Sequence, residues 1–260
     1  MRAVVLAAGE GTRLRPLTED RPKCLVELAG RPLLAWQLDA LARAAVDDVT
    51  IVTGYRADQI TAGTRRVHNA RYADTNMVAS LMCARAAFDG SDDVVIAYGD
   101  IVYEPRLVDA LRATRGGIGV LIDRQWRQLW EARMEDPLAD AETLRLDAEG
   151  YLVELGRVPQ RISDIEGQYV GLVLVRAARA AAWCARYDAL APDGDYEGRD
   201  RDHMFMTAYL QLLIDEGVRV DAVGVDGGWL EVDTLGDLEA YDALRANGAL
   251  DAIVDLGAVA

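Results

Sequence analysis

A short apolar run, Val4-Val5-Leu6-Ala7-Ala8, feeds directly into Gly9-Glu10-Gly11-Thr12-Arg13-Leu14-Arg15-Pro16-Leu17-Thr18, and a second turn follows at Arg21-Pro22-Lys23-Cys24-Leu25. This junction constrains the fold more than any other stretch, because it reads as a strand whose end opens at once into a glycine-punctuated loop. Small residues let the backbone approach a ligand closely, and free N–H groups beside fixed positive charge suit a phosphate chain. Three other readings compete. The dinucleotide-binding fingerprint needs a third small residue three positions after Gly11, where Leu14 stands. The Walker A loop needs Gly-Lys-Ser/Thr directly, whereas Lys23 lies far downstream. An ordinary strand-to-helix turn accounts for any isolated Gly-x-Gly. What sets this one apart is its combination with Thr12-Arg13-Leu14, Pro16-Leu17-Thr18 and Pro22-Lys23.

Charge supports a small polyanion as ligand. The net charge is −15, which argues against a general nucleic-acid or anionic-membrane surface. Yet residues 1–31 hold six basic side chains (Arg2, Arg13, Arg15, Arg21, Lys23, Arg31) against four acidic ones, so the acidic excess lies wholly in the remainder. Of 28 basic residues, Lys23 is the one lysine. A flexible point charge has been kept where it would serve a phosphate, although a solvated surface lysine would look the same in sequence.

The opening motif resembles the nucleotidyltransferase family that activates sugar phosphates and related small phosphates. Its signature, Gly-x-Gly-Thr-Arg-Leu-x-Pro-Leu-Thr followed by Pro-Lys-x-Leu, is matched at every position. The resemblance implies a Rossmann-like, three-layer α/β fold on a mostly parallel mixed sheet. It implies nucleotide contacts from Leu6, Ala8, Gly9, Gly11, Thr12, Arg13 and Lys23, with Arg13 and Lys23 binding the triphosphate as the catalytic cations. Asp100, which follows Gly99 after the strand Val94–Tyr98, and Asp233, which precedes Thr234, match the positions that hold Mg²⁺ in the family. Gly99 then lies beside the nucleotide. Thr234 itself fits a helix N-cap better than a ligand, since Thr234-Leu235-Gly236-Asp237 has the form of a capping box.

Thr75-Asn76-Met77-Val78-Ala79-Ser80-Leu81 stands where sugar-nucleotide members carry a Gly-Thr-Ala element. It resembles the phosphocholine and phosphonate cytidylyltransferase branch, which places Asn76 and Ser80 near the nucleotide. An N-cap is the commonest role for such an Asn, and the two roles are compatible. The segments Asp136–Glu142 and Glu166–Gly171 also look like that branch. Asp123, Trp126, Trp130 and Arg133 recur at helical spacing, which would put them on one face. An aromatic stripe is more often core than pocket; as a pocket it suits a cationic head group. Trp229, Tyr169 and Glu231 are further candidates. The acceptor-binding set is therefore Asp123, Trp126, Trp130, Tyr169 and Glu231.

No Ser/His/Asp or Cys/His arrangement is evident, and His68 and His203 read as structural. A phosphate acceptor needs no general base, because its second pKa of about 6 leaves it largely a dianion at neutral pH. Catalysis then reduces to positioning and positive charge. The expected reaction is Mg²⁺-dependent transfer of CMP from CTP to a small phosphate or phosphonate (phosphocholine or 2-aminoethylphosphonate in type), with release of pyrophosphate. A sugar-1-phosphate nucleotidyltransferase is the nearest alternative, and a non-catalytic nucleotide-binding regulator the next.

Alternating apolar strands and helices fit a single α/β domain over residues 1–260, with 123–168 as an insertion covering the substrate end and a hairpin near Ala148-Glu149-Gly150. Helices are expected over Leu33–Val46, Met77–Phe88, Pro105–Thr114, Arg176–Tyr187, Met204–Glu216 and Leu235–Ala246. The three scattered cysteines suit free thiols in a reducing compartment, and the apolar run before Gly9 is too short for a signal peptide. A cytoplasmic protein with no nucleic-acid or membrane partner is expected, and a homodimer is compatible with the sequence.

Overall fold

The computed structural model describes residues 1–259. The opening apolar run forms β1 (Arg2–Ala7), and a tight ribbon of β2 (Glu27–Leu28) and β3 (Arg31–Pro32) leads into α1 (Leu33–Arg43). There follow β4 (Asp48–Thr53), β5 (Arg65–His68), α2 (Met77–Cys83), β6 (Val94–Tyr98), β7 (Ile101–Tyr103), α3 (Pro105–Leu111) and β8 (Ile118–Asp123). The segment after β8 holds α4 (Trp126–Arg133) and a hairpin of β9 (Leu144–Leu146) and β10 (Leu152–Leu155). The chain continues through β11 (Gln168–Val175), α5 (Ala177–Asp188), α6 (Met206–Asp215), β12 (Val220–Val225), β13 (Trp229–Glu231), α7 (Leu235–Ala246) and α8 (Leu256–Val259).

Seven strands make one sheet in the order β12-β8-β11-β6-β1-β4-β5. β11 is antiparallel to β6 and β8, and the other four pairings are parallel. Both faces are covered, which is why the central strands are apolar throughout instead of alternating. In β1, Ala3, Val5 and Ala7 enter the core that α1, α3, α4 and α7 close; Val4 enters the opposite core, closed by α2, α5 and α6. In β6, Val95 and Ala97 face the first core and Val94 and Ile96 the second. The expected three-layer α/β architecture on a mostly parallel mixed sheet is what forms.

Two details place the site. β11 carries a register shift against β8 between Tyr169 and Val173, and Gly171 sits there at φ 85° with the Tyr98 ring 3.1 Å from where a Cβ would lie. Only glycine fits that bulge without strain, and the bulge re-aims Tyr169 and Val170. The other detail is a two-stranded antiparallel ribbon of β7 and β13, in which Glu231 pairs with Ile101. The expected helix Met77–Phe88 breaks after Cys83 and resumes as a 3₁₀ turn, Arg85–Phe88. Ala84, Ala87 and Phe88 are all buried in the same core, so tertiary packing there overrides a sequence with no local breaker.

Candidate active site

β1 and β6 are parallel neighbours, so their carboxyl ends open on the same edge of the sheet, where open α/β sheets bind ligands. β1 delivers the glycine loop and β6 delivers Gly99 and Asp100. Gly11 takes φ 67°, and a Cβ there would lie 2.8 Å from Lys23 Cβ. Glycine thus serves the left-handed turn and also lets the Lys23 stem pass against the loop. Thr18, buried, donates from Oγ1 to Gly11 O at 2.8 Å and holds the turn.

Lys23 Nζ, only 15 % side-chain exposed, donates to Asp100 Oδ2 at 2.8 Å and also to Asp233 Oδ1. Burial alone would lower its pKa, but Asp100 and Asp233 outweigh that and hold it above the ordinary lysine range. Arg13 Nη2 reaches the same Asp233 oxygen at 3.1 Å while staying largely exposed. Burial pushes the Asp233 carboxyl up, but Lys23, Arg13 and Arg133 overcome this and leave it below the usual range. Glu231 completes the group. Burial and then Asp233 push its carboxyl up to about 8, against the opposing pull of Arg133.

The β7–β13 ribbon is what gathers these acids. Val232 N donates to Asp100 O at 3.0 Å, so Glu231 and Asp233 are set on either side of Asp100. Asp100, Glu231 and Asp233 each offer an oxygen within 4.8 Å of the other two. Asp100 Oδ1 is buried with no hydrogen-bond partner among the described residues. Hard oxygen donors that repel one another, one of them orphaned, fit a small divalent cation.

Two cavities adjoin here. The first, about 160 Å³, is lined by Leu6, Ala8, Gly9 and Lys23 on one side and by Asn76, Ser80 and Gly99 on the other. The second, about 250 Å³, lies among Arg13, Trp130, Glu142, Tyr169, Glu231 and Asp233. Met77, Tyr98 and Asp100 border both. A phosphate-rich ligand spanning the two would pass over Lys23, Arg13 and the three carboxylates.

A family profile, the MobA-like NTP transferase domain, matches residues 3–188. The chain belongs to this nucleotidyltransferase family. It is 35% identical over 249 residues to the CTP:phosphoglutamine cytidylyltransferase of Campylobacter jejuni, covering 92% of this chain and 98% of that one. It is 36% identical to the CMP-5'-(3-aminopropyl)phosphonate synthase of Streptomyces rubellomurinus over 163 residues, 59% of this chain and 24% of the other. In fold it matches the solved CTP:phosphocholine cytidylyltransferase LicC of Streptococcus pneumoniae with a TM-score of 0.68 at 20% identity, covering 94% and 98% of the two chains. The resemblance to the phosphocholine and phosphonate branch is thereby upheld.

In this nucleotidyltransferase the structure brings together most of the residues singled out in the sequence. Leu6, Ala8, Gly9, Lys23, Asn76, Ser80 and Gly99 border the first cavity; Trp130, Tyr169 and Glu231 border the second. Asn76 does cap α2, its side chain accepting from Met77 N at 2.8 Å, and Ser80 Oγ accepts from Asn69 Nδ2 at 2.9 Å. Thr12 is exposed and lines neither cavity. Two acceptor residues are corrected. Asp123 is the last residue of β8, not part of α4, and is 1 % exposed. Its carboxylate accepts from Gln125 N, Gly227 N and Trp229 Nε1 at 2.8–3.0 Å, so it is a structural acceptor tying β8 to the turn before β13. Trp126 is core, packed edge-on against Trp130 at 5.9 Å between ring centroids, with Trp130 between it and Trp229.

The residues missed are Tyr98, Asp140, Glu142, Gln168 and Phe205, which line the second cavity. Asp140 and Glu142 lay inside the segment likened to the cytidylyltransferase branch, but nothing local marks which of its acids turns inward. Phe205 sits just ahead of α6 and is brought in from far along the chain.

Proposed function

We propose that the chain transfers CMP from CTP to a small phosphate or phosphonate that carries a cationic amine, in a Mg²⁺-dependent reaction. The observation that carries this reading is the pair of joined cavities meeting at Asp100, one bordered by the glycine loop and Lys23, the other by aromatic rings and carboxylates, of which Glu142 has no ion-pair partner among the described residues. An acceptor oxygen forms a bond to the α-phosphorus of CTP as the α–β bridging bond breaks, and pyrophosphate leaves. Lys23 and Arg13 meet the triphosphate charge, and the β7–β13 ribbon keeps Asp100 and Asp233 facing them. Asp100 and Asp233, with Glu231, are the residues that would hold Mg²⁺. Bound there, the ion would supply positive charge to the phosphates during transfer.

Segment 123–168 is read as the acceptor wall, since it contributes Trp130, Asp140, Glu142 and Gln168. Trp130 Nε1 is buried without a partner among the described residues, and such a donor is expected to find one on a ligand. Glu142 has no cationic partner there either, while burial, Asp140 and Glu197 push its carboxyl up to about 7. A half-buried acid without a counter-charge suits an ammonium.

Expected turnover of CTP with phosphocholine or 2-aminoethylphosphonate, followed as pyrophosphate release, tests the reaction; silence with both contradicts it. The acceptor class has its own test. Because Glu142 is charged only above about pH 7, KM for 2-aminoethylphosphonate should fall as pH rises through that value. Glu142→Gln should flatten this dependence and raise that KM about tenfold or more, as loss of a charge-assisted hydrogen bond does. With 2-hydroxyethylphosphonate as acceptor the substitution should change KM little. Equal effects on both acceptors would remove Glu142 from amine recognition.

A further inference from the structure

Asn69 follows directly on β5 and is 4 % exposed. Its N–H donates to Thr53 O at 2.8 Å and continues the β4–β5 ladder by one residue, so β5 delivers it to the same edge of the sheet as the glycine loop. Asn69 borders neither cavity. Ser80, on α2, lines the first cavity and is 6 % exposed.

The hydrogens around these two side chains can be followed one by one. Arg71 N, which can only donate, meets Asn69 Oδ1 at 2.9 Å. That contact fixes which end of the amide is oxygen. Nδ2 then donates to two hydroxyls, Thr75 Oγ1 and Ser80 Oγ, both at 2.9 Å, and its two hydrogens are committed. Thr75 gives its own hydroxyl hydrogen to Arg71 O at 2.8 Å. The Ser80 hydroxyl hydrogen is left with no acceptor among the described residues, at the wall of the first cavity. A buried hydroxyl with a lone pair already taken and its hydrogen unspent calls for an acceptor on a ligand.

Under the proposed function, Lys23 and Asp100 of this cavity serve the phosphates and the cation, which leaves Ser80 to the nucleoside. Pyrimidines differ at ring atom N3: cytosine presents a lone pair there, and uracil and thymine present an N–H. Against a lone pair every hydrogen in the Asn69 network is satisfied. Against an N–H, the Ser80 hydroxyl either points hydrogen at hydrogen or turns its hydrogen into a buried position without a partner, and both are costly. We propose that Asn69 is a positioning residue that sets Ser80 Oγ as a hydrogen-bond donor to N3 of the cytosine of CTP, and so selects the base. The inference rests on the CTP reading above.

Binding of CTP, UTP and 3-deaza-CTP, which has C–H in place of N3, to the free protein in Mg²⁺ by titration calorimetry tests this without acceptor or turnover. Wild type should bind CTP about tenfold more tightly than either of the others, as gain of one satisfied hydrogen bond does. Ser80→Ala should bind CTP and 3-deaza-CTP alike, by weakening CTP and leaving 3-deaza-CTP nearly unchanged. In Asn69→Asp the carboxylate takes the Ser80 hydrogen and turns a lone pair to the cavity, so preference should pass from CTP to UTP. If that variant does not fold, Asn69→Ala replaces it, with the CTP preference expected to fall without passing to UTP. No preference for CTP over UTP in wild type overturns the cytosine reading of the proposed function, and this inference with it. A CTP preference in wild type that Ser80→Ala retains, or a loss shared equally by all three nucleotides, overturns base reading by Ser80 and leaves the function standing. A preference lost in Ser80→Ala but intact in the folded Asn69 variant overturns the positioning role of Asn69 alone.

Discussion

Lys23→Ala is expected to lower kcat with CTP by about 10²- to 10³-fold, the effect of removing one preorganised donor from a developing anion. The same substitution should tighten Mn²⁺ binding to the free protein. Both follow from one geometry: Lys23 Nζ is hydrogen-bonded to Asp100 and Asp233, two of the three acids that would hold the metal. In the free protein the ammonium would compete with a divalent cation for those oxygens; in the proposed complex it would serve the triphosphate. Removing one partner of a buried ion pair costs at most about 3–5 kcal/mol, and less here because Arg13 and Arg133 still face Asp233. The melting temperature should therefore fall in EDTA and recover with Mn²⁺. Turnover and melting temperature falling together, with no recovery on adding metal, would make Lys23 a structural cation only.

Asp233→Asn is expected to have a larger effect on turnover, on the order of 10³-fold or more, because several kcal/mol of charge stabilisation would depend on the ion it is proposed to hold. Asp233 is where three cations converge: Lys23, Arg13 and Arg133 all approach its carboxylate. Asparagine preserves its shape and removes the charge that gathers them. Steady-state kinetics over a Mg²⁺ series should show a loss that added metal does not restore. Activity within tenfold of wild type would exclude Asp233 as a metal ligand.

The parts of this site that are local in sequence could be read from it. The strand, the glycine loop, Arg13 and Lys23 lie within one short stretch, and their spacing carries their chemistry. Asp100 and Asp233 were recognisable because each ends or follows a strand in a known motif. Glu231 was named for the acceptor pocket, yet it also stands with Asp100 and Asp233 as a third acid. That requires the β7–β13 ribbon, a pairing across more than a hundred residues that no periodicity announces. The spacing of Asp123, Trp126, Trp130 and Arg133 suggested one helical face. In fact α4 begins at Trp126, leaving Asp123 in the sheet, and the face is divided between core, cavity and acid cluster. Periodicity says which residues share a side of a helix, not which neighbour that side meets. Likewise β11 reads as any apolar strand; its reversed direction and the bulge at Gly171 shape the second cavity and leave no sequence period behind.

On the proposed function, the glycine loop, the two cations and the acid cluster catalyse cytidylyl transfer to an amine-bearing phosphate. Pyrophosphate release by the wild-type protein with Mg²⁺, measured for each of the four nucleoside triphosphates against phosphocholine, 2-aminoethylphosphonate and hexose 1-phosphates, tests it most directly. Release is expected with CTP and the amine-bearing acceptors, and none with hexose phosphates. Release with hexose phosphates alone would mark a sugar-nucleotide enzyme, and tight nucleotide binding without release from any pair would mark a regulator; either result contradicts the account.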